Sequence, residues 1–479
     1  MPQARDLTGK SVVVLGLARQ GMALARFLAE QGASVTISDV KTADQLAEAI
    51  KSLDGVPIKY ALGGHPSELL GGCNLLCLSG GVPVDLPIVV EAQKRGIALS
   101  NDAQIFVECC PAPVIGITGS AGKTTTTALT GEMLKVSGFK TWVGGNIGNP
   151  LIADLDRMAQ GDKVVMELSS FQLEVMTSSP HIAAVLNITP NHLDRHPTME
   201  AYIAAKKRIL DFQDFGDVMV LGYDDAVARQ LAGDARGYVR FFSQQAKVGR
   251  GAFVRDGNIV LKQDVEQVVC AVRDLKLRGS HNVWNVLAAC VLAGAAGADV
   301  EAMAQVATSF AGVPHRLQLV RELRGVRYYN DSIATAPERL IAALRSFDEP
   351  IVLLCGGRDK HLPWEDAAAL IAARVSHVVL FGEMTELIKS QISNVGTVWL
   401  KPDEYAKSRH SLAKARRVRE ISKLEVHEAG TLENAVKVAA QVVRPGDVVL
   451  LAPGGTSFDA FKDFAERGDK FAEYVNALE

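Results

Sequence analysis

Short apolar runs rich in Val, Ile and Leu recur along the chain, and helical spacing follows most of them. SVVVLGL at 11–17 leads into GMALARFLAEQG. SVTISD (34–39), NLLCLS (74–79), PVIGIT (113–118), KVVMELS (163–169), AAVLNIT (183–189), VMVLGY (218–223), IVLLCGG (351–357), HVVLFGE (377–383) and DVVLLAPG (447–454) follow. Such runs, alternating with helices, predict parallel sheets with crossover helices and therefore an α/β fold. The rhythm breaks twice. At 108–116, ECCPAPVIG sets two prolines before a new run; at 310–320, FAGVPHRLQLV follows an Ala-rich helical stretch with Gly and Pro. Boundaries there give segments 1–110, 111–312 and 313–479, in keeping with about three domains for 479 residues.

Composition changes this picture little. A formal charge of -3 gives no reason to expect nucleic acid or an anionic membrane as a partner. Locally, 401–423 carries eight Lys or Arg against three acids, a pattern expected of a solvated helix or loop. No run of eighteen apolar residues is present, and the first residues lead straight into a strand-like run, so a cytoplasmic protein is expected. Seven cysteines without a C-x-x-C pair, mostly in apolar runs, read as buried free thiols rather than disulfides or zinc ligands.

The strongest chemical signal is GITGSAGKTTTTALTGEML at 116–134. A strand runs into Gly119-Ser120-Ala121-Gly122-Lys123-Thr124 and then into a helix, although the glycine spacing is shorter than in G-x-x-x-x-G-K-[ST]. Backbone N–H groups at a helix start meet phosphate oxygens, lysine adds charge and a hydroxyl can join a Mg²⁺ shell. A nucleoside triphosphate is the expected ligand. Mg²⁺ takes oxygen ligands, and Glu167 ends a strand where a carboxylate would face the mouth of a parallel sheet. His192 and Asp194 follow another strand, and Lys206 and Lys207 lie in a helix; spacing alone assigns none of these four a role. In the first segment Gly16 and Gly21 fall short of G-x-G-x-x-G, so a dinucleotide site is weakly supported.

TGSAGKTT, MELSSFQLE (166–174), NITPNHLDRH (187–196) and YIAAK (202–206) together resemble the Mur ligases of peptidoglycan precursor synthesis, and within them the glutamate-adding branch. GGNIGNP (144–150), GSHNVWN (279–285), PHR (314–316), NDSIAT (330–335), GGRDK (356–360) and SFDAFKDFAERG (457–468) extend the resemblance over nearly the whole chain. It implies an N-terminal Rossmann-like unit for the uridine nucleotide, a central P-loop ATPase-like domain with a mostly parallel sheet, and a C-terminal Rossmann-like domain for ATP and glutamate. The implied reaction is ATP-dependent joining of glutamate to UDP-N-acetylmuramoyl-L-alanine through an acyl phosphate, by a monomer.

The resemblance also implies roles. Gly119, Ser120, Ala121, Gly122, Lys123, Thr124 and Thr125 would hold the phosphates of ATP, with Asn282, Asn285, Arg316 and Asp331 on the rest of it. Thr124, Glu167, His192 and a carbamylated Lys206 would hold two Mg²⁺ ions, and an anionic carbamate suits a metal where an ammonium does not. Leu17, Ala18, Arg19, Asp39, Ser79, Gly80, Gly81, Asn146, Ser169 and Gln172 would take the UDP substrate; Lys360, Ser457 and Phe464 would take glutamate. One position departs: Ile333 stands in N-D-S-x-A-T where glutamate-adding ligases often have lysine, which leaves D- and L-glutamate both open.

Folylpolyglutamate synthase shares the last two segments, but it begins close to its phosphate loop, whereas a full α/β unit precedes the loop here. A P-loop motor or switch predicts a Walker-B aspartate and gives no account of Lys360, Ser457 and Phe464. A UDP-sugar binding protein would need neither Lys123 nor Glu167.

Overall fold

A computed structural model describes residues 7–146, 150–190, 195–277, 279–360, 362–395 and 424–479. The basic run 401–423, together with His192 and Asp194, lies outside them. The chain forms two compact units, Met1–Phe310 and Ala311–Glu479.

The first unit holds two sheets. In one, β1 (Ser11–Leu15), β2 (Ser34–Asp39), β3 (Ile58–Leu62), β4 (Leu75–Leu78) and β5 (Ala98–Ser100) pair in parallel in the order β3-β2-β1-β4-β5. The other is built from β6 (Val114–Thr118), β7 (Thr141–Gly145), β8 (Lys163–Glu167), β9 (Ile182–Val185), β10 (Val218–Gly222), β11 (Tyr238–Ser243), β12 (Gly251–Arg255), β13 (Asn258–Lys262) and β14 (Glu266–Ala271). Its order is β14-β13-β12-β11-β10-β9-β6-β8-β7. Residues on both sides of position 110 share one apolar core, in which Val12, Val14, Leu24 and Phe106 join Val114, Val164 and Met166.

All five residues of β6 are buried, as a run without polar alternation demands of a central parallel strand. Its neighbours β8 and β9 lie on opposite sides, so the loops leaving the carboxyl ends of β6, β8 and β9 open side by side. Crevices of this kind are where open α/β sheets bind ligands.

The second unit carries β15 (Gln318–Leu323), β16 (Val326–Asn330), β17 (Ile351–Gly356), β18 (Val375–Phe381), β19 (Glu425–Gly430) and β20 (Val448–Gly454) in the order β15-β16-β20-β17-β18-β19. Only the pair β15 and β16 is antiparallel there, among the described residues. The parallel rhythm read from the sequence thus omits three hairpins, β12–β13, β13–β14 and β15–β16. The first and the last close on two residues with positive φ, Asp256 (49°) and Gly257 (74°), and Arg324 (52°) and Gly325 (77°). That conformation matches the twist of the flanking strands, and D-G at 256–257 is its sequence signature.

The seven cysteines are free thiols, five of them buried, as their apolar setting predicts. No described helix is long and apolar enough to cross a membrane.

Candidate active site

The loop after β6 is shaped by one glycine. Gly122 has φ +85°, and a Cβ there would lie 2.4 Å from Asn285 Oδ1, so both conformation and space require glycine. It leads into α1 (Lys123–Val136), whose first turn leaves N–H groups directed out of the helix end. Other donors of the loop are used internally. Ser120 N–H donates to the Asn187 carbonyl (2.9 Å) and Ala121 N–H to Asn187 Oδ1 (2.9 Å). Thr189 N–H donates to Ser120 Oγ, which donates to the Thr189 carbonyl (2.9 Å) and lies 3.1 Å from the Tyr202 hydroxyl. Asn187, Thr189 and Tyr202 therefore fix the loop, although sequence reasoning assigned them nothing. Their signal was present, since all three lie in the quoted segments NITPNHLDRH and YIAAK.

Beside the loop, Thr124 Oγ1 donates to Glu167 Oε2 at 2.8 Å, and Asn146 Nδ2 donates to Oε1 at 3.1 Å. Glu167 is 2% exposed at the end of β8. Its two hydrogen-bond partners are neutral, and a buried carboxylate and a hydroxyl at the mouth of the phosphate loop are the hard oxygen donors that Mg²⁺ takes.

Lys206 lies on α2 (Met199–Asp211), where Tyr202, Ala205, Lys206, Ile209 and Leu210 form the buried stripe. It is 1% exposed; its amine donates to the Gly119 carbonyl at 3.0 Å and sits 4.7 Å above the Tyr202 ring. Burial first, and then the charge of Lys123, push this amine down to about 7, against the opposite pull of Glu167. Lys123 Nζ donates to the same Gly119 carbonyl, also at 3.0 Å. Next along the helix, Lys207 faces elsewhere and pairs with Asp211. Asn282 and Asn285, joined at 2.9 Å on α3 (Ser280–Ala295), complete the surroundings of Gly122.

In the first sheet, Asp39 at the end of β2 accepts N–H bonds from Leu17 (2.7 Å) and Lys41 (2.9 Å), fixing the turn after β1. Ala18 and Arg19, exposed at the start of a helix, offer its first N–H groups. Ser79 is buried against Gly16, and the Gly81 carbonyl accepts from Arg195 at 3.4 Å. A Cβ at Gly80 would meet Gln20 Oε1 at 2.6 Å. Ser169 and Gln172 form a reciprocal capping box, with Gln172 1% exposed.

The second unit gathers its own set. Asp331 follows β16, and its carboxylate accepts the Leu317 N–H at 3.0 Å, holding the turn that carries Arg316. Burial drives the Asp331 carboxyl up to about 6, opposed first by that bond and then by Arg316 and Arg339. Arg467 is fully buried, donating to Ser332 Oγ and carbonyl and to the Gly455 and Thr456 carbonyls. It ties N-D-S-I-A-T to the loop bearing Ser457 and was not singled out from the sequence. Lys360 Nζ donates to Thr335 Oγ1 at 3.1 Å; burial first, with Arg339 and Arg467, holds its ammonium below the usual range. Ser457 is buried, while Phe464 is 37% exposed at a helix start. Ile333 is half-buried, and its backbone rather than its side chain is engaged, N–H to the His315 carbonyl and carbonyl to Arg339.

Three family descriptions match the chain: "Mur ligase MurD-like, N-terminal domain" over 10–101, "Mur ligase middle domain" over 117–293 and "Mur ligase, glutamate ligase domain" over 315–455. The UDP-N-acetylmuramoylalanine--D-glutamate ligase of Acetivibrio thermocellus is 39% identical over 99% of the chain and 98% of that protein. The enzyme of the same name from Symbiobacterium thermophilum is 40% identical over 97% of each. Among solved structures, UDP-N-acetylmuramate-alanine ligase from Thermotoga maritima aligns with a TM-score of 0.55 at 19% identity, over 98% of this chain and 100% of that one. MurF from Acinetobacter baumannii aligns with 0.56 at 16%, over 96% and 93%. At these identities the two structures speak to the fold alone.

Proposed function

The chain belongs to the Mur ligase family, and from that premise we propose that it joins glutamate, the D-isomer favoured, to UDP-N-acetylmuramoyl-L-alanine at the expense of ATP. The observation that carries the reading is the Thr124–Glu167 pair beside a phosphate loop on which two lysine amines converge. Full-length identity to D-glutamate ligases supports the substrates.

In this reading the first turn of α1 and Lys123 hold the triphosphate. The alanyl carboxylate attacks the γ-phosphorus, ADP leaves and an acyl phosphate forms; Lys123 offsets charge accumulating on the transferred group. Glutamate's neutral amine then attacks the acyl carbon, phosphate departs and the nitrogen gives up a proton, which goes to the departing phosphate, or to His192 only where that imidazole is not bound to metal. Thr124 and Glu167 would hold one Mg²⁺, His192 and a carbamate on Lys206 a second. When bound, these ions would neutralise phosphate charge and orient its oxygens. The carbamate reading is supported by burial of the Lys206 amine beside Lys123 and Glu167, since a neutral amine adds CO₂ and releases a proton.

Arg316 and Asp331 serve ATP, and Lys360, Ser457 and Phe464 serve glutamate, the cation facing a substrate carboxylate. Leu17, Ala18, Arg19 and Asp39 take the uridine diphosphate, with Asp39 ordering the turn that receives it. Division into 1–110, 111–312 and 313–479 follows these three tasks. The protein acts as a cytoplasmic monomer.

Phosphate release tests the reading, with ATP, Mg²⁺ and UDP-N-acetylmuramoyl-L-alanine and either isomer of glutamate. Release should require both the nucleotide sugar and glutamate and favour the D-isomer. Equal release without amino acid would sink ligation, and preference for L-glutamate would correct the isomer.

A further inference from the structure

At the far end of the third sheet, strands β18 and β19 bring His377, Glu425 and His427 together. His377 is the register partner of Glu425, and His427 stands two residues further along β19, so all three side chains project from one face. His377 Nδ1 and His427 Nε2 are 3.2 Å apart, and Glu425 Oε2 lies 3.5 Å from the first and 3.9 Å from the second. The three form the potential metal-ligand cluster among the described residues.

A hydrogen bond between the two rings explains only part of this. It accounts for one nitrogen of each ring and leaves the carboxylate at or beyond hydrogen-bond range of both. A metal ion explains all three distances. Bonds of about 2.1 Å in a tetrahedral site set ligand atoms about 3.4 Å apart, close to the 3.2 and 3.5 Å edges of this triangle, while the 3.9 Å edge asks for a wider ligand angle at the ion. Two imidazoles and one carboxylate suit Zn²⁺ and its neighbours in the first transition row better than Mg²⁺, which takes mostly oxygen ligands. The histidines are 19% and 26% exposed and the glutamate 64%, which leaves an approach for the ion and a fourth position for water.

We propose that His377, Glu425 and His427 form a Zn²⁺-class divalent metal site that clips β19, the edge strand of the described sheet, to β18. The residues sit at the amino-terminal half of their strands. Asp331, Lys360 and Ser457 instead follow the carboxyl ends of β16, β17 and β20, so the clip is separate from the proposed chemistry.

The test uses the tag-free full-length chain in excess Mg²⁺, titrated with Zn²⁺ and separately with Co²⁺, whose visible absorption reports tetrahedral nitrogen and oxygen ligation. Wild type should retain one more equivalent of Zn²⁺ than His377→Ala/His427→Ala and give a Co²⁺ spectrum that the double variant lacks. Glu425→Gln, an exposed and isosteric change, should weaken Zn²⁺ at least tenfold. Zn²⁺ should raise the melting temperature of wild type more than that of Glu425→Gln. Equal stoichiometry and equal Co²⁺ spectra in wild type and double variant would overturn the site, as would Zn²⁺ affinity unchanged in Glu425→Gln.

Discussion

Lys123 and Lys206 donate to the same acceptor, the Gly119 carbonyl, each at 3.0 Å, from two helices 83 positions apart in the chain. Two ammonium groups cannot share so small a buried space without cost, and Lys206, the more buried, is the one whose charged form is disfavoured.

Lys206→Ala should lose about 100-fold or more in phosphate release, the scale of removing a group that stabilises transferred charge. A short carboxylic acid such as formate should restore part of the rate by occupying the vacated space with an anionic oxygen ligand. Lys206→Arg should be equally inactive and should not be rescued. Full activity in Lys206→Ala would remove the carbamate from the mechanism.

Glu167→Gln keeps an oxygen to accept the Thr124 hydroxyl but loses the charge. The Mg²⁺ concentration giving half the maximal rate should rise about tenfold or more, since a carboxylate is the ligand Mg²⁺ prefers. A Mg²⁺ titration of phosphate release reads this directly, and an unchanged curve would exclude Glu167 as a ligand.

Gly122→Ala adds a Cβ at φ +85° and 2.4 Å from Asn285 Oδ1. ATP affinity, measured by calorimetry, should fall about tenfold or more, and stability by about 1–2 kcal/mol. Gly138→Ala is the control: its φ is +88°, but nothing lies within 4 Å of the added atom. It should cost stability while leaving ATP affinity unchanged.

Asp331 yields a pH prediction with a definite sign. Its folded pKa is raised to about 6, so between about pH 4 and pH 6 the folded state binds more protons than the unfolded one. Its contribution to stability therefore falls as pH rises through that window, by at most about 3 kcal/mol. Urea denaturation of wild type and Asp331→Asn at pH 4 and pH 7 should show wild type losing more on going to the higher pH. Parallel losses would show that burial does not shift this carboxyl.

The phosphate loop was legible because its requirements are local: a buried strand, a left-handed glycine, a lysine and a helix start occupy adjacent positions. Glu167 could be singled out from its place at a strand end, whereas Asp39 came only from the resemblance. Lys206 was harder. In AAKKR two neighbouring lysines look alike, and a solvated pair is the ordinary expectation. Helical spacing from Tyr202 to Ile209 and Leu210 puts Lys206, not Lys207, on the apolar face, but only packing shows that the face is closed over it. Arg467 sits in a polar segment that looks exposed, and its partners Ser332, Gly455 and Thr456 lie far along the chain or on another loop.

The sequence by itself determined the α/β alternation, the phosphate loop and the residue types available to hold nucleotide and metal, because period, turn and helix start depend on near neighbours. Tertiary structure alone decided which lysine is buried, that Asn187 and Tyr202 brace the loop, and that His377 meets Glu425 and His427 across two strands. Those relations depend on sheet order and register rather than local pattern, and they bring together residues between 48 (His377 to Glu425) and 87 positions apart.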